Sequence, residues 1–450
     1  MKNKCVNLYE FQKLKNYELK IKIEKCLGRE IPNGYIKKVK SELQRINQKL
    51  KSQIIQLNYN SIQASQYVGF IKLKDFSIQI IPKLYREDKS LPNLQYLIVM
   101  LKYLNVEGVS LKKIDFGALG KAKGDLFEFL IEIYTKKLKE QIYAGIYRKY
   151  INIIEDSEYI RGKLNVDLQI KYNITKPWKF YCEFEEFIEN NPINQIFKYT
   201  LTLLKKTTRT NSIKKTIDEI LVLFLNVDLI KIKLYHFKKI YFTRLNIFYK
   251  PLIDFCLLII SQSNIDFQNR TIESFYFLFD MNLLFEKFIT EFIKKNQDSL
   301  KINEKHNIIE VKDQVQIGLL FKEFNLKPDL IITYKNGEKL SKILLDFKYK
   351  ILSPSVRHFG ISQSDFYQMF AYSQSQKEKF NNIILLYPGK EEIISGFFKH
   401  EFDQNHFIKI FIDFINLDRI YEPYTRVFNK FEIINNLNHV FNLEDKQNLK

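Results

Sequence analysis

One stretch of this sequence carries residues whose types and spacing suit phosphodiester chemistry. It reads KPDLIITYKNGEKLSKILLDFKYK and holds Pro328-Asp329 and then Asp346-Phe-Lys348. In a strand, residues two apart share a face, so Asp346 and Lys348 point to one side while Phe347 turns into the core. Asn336-Gly337 lies between the two aspartates and predicts a hairpin that sets Asp329 beside Asp346. Two carboxylates offer hard oxygen ligands to a divalent cation. Such a cation stabilises charge on phosphorus oxygens and lowers the pKa of a bound water. A lysine beside that water orients it or counters the charge of the transition state. Asp346 also follows Ile343-Leu344-Leu345, and a lone charge on so apolar a strand is costly without a partner or a function. Taken by itself, however, D-x-K is an ordinary tripeptide in a lysine-rich chain.

Two flanking elements supply more candidates. Asp280-Met-Asn-Leu-Leu-Phe-Glu286 opens a helix expected to run from Met281 to Lys295, with Glu286 among Leu283, Phe285 and Ile289 as a further metal ligand. Gln368 and Tyr372 are one turn apart on a helix expected from Ser364 to Ser375, and so share a face. Lys350, Arg357 and His358 are candidates for touching phosphates, the latter two being equally well read as residues of a solvated loop.

These elements belong to a region, 269–450, whose order of helix, strands near Ile308, Asp329–Tyr334 and Ile343–Tyr349, helix, and strand at Asn382–Tyr387 is an α/β pattern. Residues 1–110 read as β-rich: Tyr67 to Ile81 alternates around a turn at Lys74-Asp75, and a short helix follows over Leu94–Leu104. Residues 111–268 read as mainly helical, with helices at Asp125–Tyr147, Pro192–Lys206, Ser212–Leu225 and Asn246–Ser261, and a β-like stretch at Tyr159–Leu168. The fold class is thus α+β and multidomain, as 450 residues require.

Composition excludes several classes. No apolar run is long enough to span a bilayer, and Pro251–Ile260 reads as a buried helix. No apolar signal core follows Met1, so a cytoplasmic protein is expected. The four cysteines, Cys5, Cys26, Cys182 and Cys256, form no CxxC pair and are expected as isolated buried thiols rather than a zinc or redox site. The histidines form no HExxH motif, and His400 and His406 are expected at the surface. Gly117-Ala-Leu-Gly-Lys-Ala122 lacks the spacing and the Ser/Thr of a phosphate loop, so the chain should not hydrolyse a nucleotide by itself. The formal charge of +20 suits a polyanion, although a general bias to Lys, Asn and Ile also raises it.

The order Glu286, Pro328-Asp329, Asp346-Phe-Lys348 and Gln368…Tyr372 resembles the PD-(D/E)xK nuclease superfamily, and its last element looks like the QxxxY motif of the RecB-like branch. More specifically the chain resembles the McrC family, the nuclease subunits of the McrBC modified-cytosine restriction system. The similar stretches are Val68-Gly-Phe-Ile, Ile80-Ile-Pro82-Lys83, Arg161-Gly-Lys163, Asn190-Asn-Pro-Ile-Asn194-Gln-Ile-Phe-Lys198, Asp280 to Glu286, Asp346-Phe-Lys-Tyr-Lys350 and Ser364-Asp365-Phe-Tyr367-Gln368-Met. This resemblance implies a C-terminal PD-(D/E)xK domain that cleaves DNA with Mg2+, or Mn2+, held by Glu286, Asp329 and Asp346. It gives Lys348 to the attacking water, with Gln368 and Tyr372 supporting the lysine or the DNA backbone. It implies double-stranded, modified DNA as substrate and a separate AAA+ GTPase of McrB type as partner, contacted and stimulated by the N-terminal region. Two rival readings are a non-enzymatic regulator of a GTPase motor on the same scaffold, and a related nuclease of another repair or defence complex.

Overall fold

The structure, a computed structural model, describes residues 5–83, 95–103, 105–106, 109–110, 126–261, 275–320, 323–353, 355–375, 380–389, 395–403, 406–417, 429–447 and 449. It is a mixed α/β molecule with several sheets, and its contacts group into two units. One joins Met1–Leu126 to Leu278–Lys450; the other is Phe127–Phe277. The glycine-rich 117–122 stretch lies outside the described residues.

In the first unit, the amino-terminal strand Cys5–Tyr9 runs parallel to Ser77–Ile81, which pairs antiparallel with Tyr67–Lys72, Gly69 opposite Ile80. The turn sits where Lys74-Asp75 predicts it, and Leu73 N–H donates to the Phe76 carbonyl across it. Ser77–Ile81 is buried at every position rather than on alternate ones, as a strand covered on both faces must be. Lys13–Lys15, Ile55–Asn58 and Ser61–Ala64 form a second, small antiparallel sheet.

The same unit contains a seven-stranded mixed sheet. Its strands lie in the order Lys301–Ile302, His306–Asp313, Leu330–Asn336, Lys339–Phe347, Asn382–Pro388, His406–Ile415 and Gly396–Asp403. The Asn336-Gly337 signal marks a tight hairpin, Asn336 opposite Lys339, with Gly337 at φ 63°. The helix Gln363–Ser373 connects Lys339–Phe347 to its parallel neighbour Asn382–Pro388. Ser362 caps that helix by accepting from Asp365 N–H, while Asp365 accepts from Ser362 N–H, a reciprocal arrangement that satisfies two otherwise free donors. Met369 and Tyr372 face the core of Leu344, Ile383, Leu385 and Ile412.

The second unit holds the expected helices at Leu126–Tyr143, Pro192–Thr207, Asn211–Leu223 and Lys250–Ser261. Two features correct the reading of this region. Lys149–Ser157 and Phe180–Ile188 form a long antiparallel ribbon within what reads as mainly helical sequence. The β-like stretch Tyr159–Leu168 is a two-residue strand, Lys163–Leu164, followed by a helix over Val166–Asn173. Asn165 caps that helix, accepting from Leu168 N–H, and Asp167 favours its first turn. Of the cysteines, Cys182 and Cys256 are buried, whereas Cys5 and Cys26 are only half-buried. His400 is exposed. Among the described residues no helix is long and apolar enough to cross a membrane.

Candidate functional site

The hairpin sets the register of the candidate residues. Leu330 pairs with Leu345, so Asp329, one residue earlier, stands beside Asp346. Asp329 Oδ2 accepts the Phe347 backbone N–H at 2.7 Å. Asp346 occupies the fourth of five consecutive buried positions at the end of its strand and is only 1% exposed. Phe347 is buried as the alternation requires, and Lys348 reaches back so that its Nζ lies 2.7 Å from Asp346 Oδ2. That contact is close but badly directed, leaving Asp346 Oδ2 without a proper hydrogen bond.

A chain of hydrogen bonds holds the lysine from the other side. Lys348 Nζ donates to Gln368 Oε1 at 2.9 Å. Gln368 Nε2 donates to the Tyr372 hydroxyl at 2.7 Å, and that hydroxyl donates to the Lys327 carbonyl at 3.1 Å. Gln368 and Tyr372 thus meet through the one-turn spacing read from the sequence, and Lys327 lies two residues before Asp329.

Glu286 enters through a residue the sequence reading missed. Gln314 Nε2 donates to Glu286 Oε1 at 2.7 Å and to Asp329 Oδ1 at 3.2 Å. Gln314 follows the strand His306–Asp313 in a left-handed conformation, φ 53°, and its N–H donates to the Asp329 carbonyl. Its only sequence signal is a polar residue after a strand, which many sequences share. Glu286 itself sits on Met281–Asn296, half-buried between fully buried Phe285 and Ile289. Asp280 caps this helix by accepting from Asn282 and Leu283 N–H.

The electrostatics follow from burial and crowding. Burial, and then the neighbouring Asp329, push the Asp346 carboxyl up to about 7, against the pull of Lys348. Burial raises Asp329 despite the Phe347 N–H, and burial and Asp329 together raise Glu286. Burial on its own would lower Lys348; Asp346 and the other carboxylates outweigh it and hold the ammonium above its ordinary value. The cluster therefore concentrates negative potential that Lys348 and Lys287 offset in part.

The donors fit a divalent cation in kind: buried hard oxygens, one of them lacking a directed hydrogen bond. Among the described residues, no three Asp, Glu, His or Cys groups converge closely enough to form a complete cage. One or two carboxylates, completed by waters and substrate oxygens, is the usual arrangement for Mg2+. Arg357 and His358 are exposed, with Arg357 Nε donating to His358 Nε2 at 3.2 Å and His358 at φ 50°; Lys350 is half-buried.

Comparison with known proteins adds to this geometry. A chain of the refined half-complex from the tetradecameric assembly of Thermococcus gammatolerans McrB AAA+ hexamers with bound McrC is similar in fold, with TM-score 0.68 and 21% identity, covering 97% of this chain and 100% of that one. A chain of the T. gammatolerans McrBC complex is also similar, with TM-score 0.50 and 23% identity over 65% of this chain and 88% of that one. No curated protein matches the chain with significance. The family model described as the McrBC 5-methylcytosine restriction system component matches residues 62–388, well over half of the sequence, and the chain belongs to that family.

Proposed function

We propose that this chain is the DNA-cleaving subunit of a modified-cytosine restriction system, hydrolysing phosphodiesters at a PD-(D/E)xK site and working with an AAA+ GTPase of McrB type. One observation carries this reading: Lys348 is suspended between Asp346 and Gln368 at the end of a core strand, with Asp329 alongside across the hairpin. Family membership and the likeness to chains of McrB–McrC assemblies support the partner.

In this reading Asp329 and Asp346 hold Mg2+, or Mn2+, with Glu286 assisting through the Gln314 bridge. The bound ion supplies Lewis-acid stabilisation of the phosphate oxygens and a more acidic water. Lys348, kept charged by its carboxylate neighbours, orients the attacking water and offsets the growing charge on the phosphate. Gln368 and Tyr372 fix the lysine's position. Lys350, Arg357 and His358 lie downstream on the chain as candidate phosphate contacts, in keeping with the net charge of +20. The test is cleavage of methylated DNA by the reconstituted complex with GTP and Mg2+. Cutting that Asp346→Asn and Lys348→Gln abolish supports the proposal; cutting that both variants retain refutes it.

A further inference from the structure

A second group of interactions joins the amino-terminal sheet to the strand that carries the site. Tyr9 lies opposite Ile81 in the parallel pair, and Glu10 N–H donates to the Ile81 carbonyl. Glu10 and Lys83 therefore emerge side by side at one end of the sheet. Lys83 N–H donates to Glu10 Oε2 at 2.8 Å. The Glu10 side chain is fully buried, a position a carboxylate rarely takes without partners.

Both residues converge on Tyr349, the neighbour of Lys348. The Tyr349 hydroxyl donates to Glu10 Oε2 at 3.3 Å, and Lys83 Nζ donates to the Tyr349 carbonyl at 2.7 Å while standing 4.4 Å above its ring. Tyr349 also meets Phe285, the residue before Glu286, at 5.8 Å between ring centroids. The same end of the sheet grips the Glu286 helix, because Gln66 accepts Met281 N–H on its carbonyl and donates from Nε2 to Asp280. Past Phe347 the strand has ended, its last bond to the neighbouring strand being Lys348 N–H to the Leu386 carbonyl, so no sheet ladder reaches Tyr349 itself. Glu10, Lys83 and Phe285 all contribute to its position.

We infer that Glu10, Lys83 and Tyr349 form a positioning clamp through which the amino-terminal sheet sets the placement of Lys348 and Asp346, so that DNA cleavage depends on residues more than 260 positions away in sequence. This rests on the nuclease reading of the site. Lys83 holds the backbone one residue beyond Lys348, and Glu10 holds the ring that packs beside the Glu286 helix. Loosening either lets the carboxylates and the lysine drift apart, and misplacements on the order of 1 Å at a reacting centre cost about a hundredfold in rate.

The test uses the full chain reconstituted with its GTPase partner on methylated DNA, comparing wild type with Lys83→Met, Lys83→Arg and Tyr349→Phe under single turnover. Lys83→Met is expected to lower the rate at saturating DNA and Mg2+ by about 10- to 100-fold, with the half-saturating DNA concentration unchanged. Lys83→Arg, which keeps a donor and a cation over the ring, is expected to restore most of the rate. Tyr349→Phe, which preserves the packing, is expected to lose about threefold to tenfold. Wild-type rates in both Lys83→Met and Tyr349→Phe would overturn the clamp while leaving the nuclease reading intact. So would losses that follow the fraction of unfolded protein and are not rescued by Lys83→Arg. A wild-type complex that does not cut DNA overturns the nuclease reading, and the clamp with it.

Discussion

Gln368 and Tyr372 are hydrogen-bonded to each other across one helical turn, amide nitrogen to phenol oxygen at 2.7 Å. Because the phenol proton is committed to the Lys327 carbonyl, Tyr372 can only accept from Gln368. The amide is thereby oriented with Oε1 toward Lys348. Tyr372→Phe removes that constraint without removing the buried ring, freeing the amide to flip and present its NH2 to the ammonium. The expected result is a threefold to tenfold slower single-turnover cleavage, the size of about one hydrogen bond. Gln368→Ala should cost more, since it leaves the lysine with Asp346 alone. Equal rates for wild type and both variants would contradict a supporting role for this helix.

Asp346 sets function against stability. Its carboxylate is buried with one oxygen poorly satisfied, and such a group weakens the fold unless something else compensates. Asp346→Asn is expected to hold or raise the thermal midpoint of the metal-free protein while reducing cleavage by about a hundredfold or more, the scale seen when one transition-state contact is removed. Lys348→Gln should also abolish cutting, but without that stability gain, because it leaves the buried aspartate uncompensated. Calorimetry beside a cleavage assay checks both. An Asp346→Asn variant that is destabilised by several degrees would count against this account.

How much of this was legible follows from the range of each interaction. Asp346 and Phe347 end one strand with Lys348 directly after them, and Gln368 and Tyr372 share one helical turn, so local periodicity sorts them onto faces. The hairpin is marked by Asn336-Gly337, which carries Asp329 to its place. Gln314 bridges residues 28 and 15 positions away, and nothing local announces a side chain that acts only after the sheet has formed. The Glu10–Tyr349 contact spans 339 residues and is invisible for the same reason. The ribbon Lys149–Ser157 with Phe180–Ile188 escaped because most of its residues are half-exposed or exposed. Without a buried face, the alternation that identifies a strand is missing.

Gln314 gives a prediction about the metal. One amide nitrogen ties Glu286 to Asp329, fixing two candidate ligands that otherwise repel each other. Residues that orient ligands in this way typically change metal affinity or activity by about 10- to 100-fold when removed. Gln314→Ala should therefore raise the Mg2+ concentration needed for half-maximal cleavage by roughly tenfold, with the rate at saturating Mg2+ less affected. A metal titration of the single-turnover rate separates the two. An unchanged midpoint would leave Gln314 as an ordinary loop residue.

Glu10 predicts a pH dependence of folding that is separate from the site. Burial pushes its carboxyl up to about 7, against the Lys83 N–H, the Lys83 charge and the Tyr349 hydroxyl, with Asp280 adding to the rise. Burial likewise lowers Lys83 to about 8, with Glu10 opposing that shift and Lys350 adding to it. An acid whose folded pKa exceeds its unfolded value binds more protons when folded. Its contribution to stability is thus fully present below about 4.5 and is lost as the pH rises to about 7. Glu10→Gln keeps an acceptor for Lys83 N–H and Tyr349 but removes this titration. Measured by denaturant unfolding, wild type should lose stability relative to Glu10→Gln between pH 5 and pH 7.5, by up to about 3 kcal/mol. Parallel stability curves for the two proteins across that window would show that Glu10 folds as an ordinary ionised carboxylate.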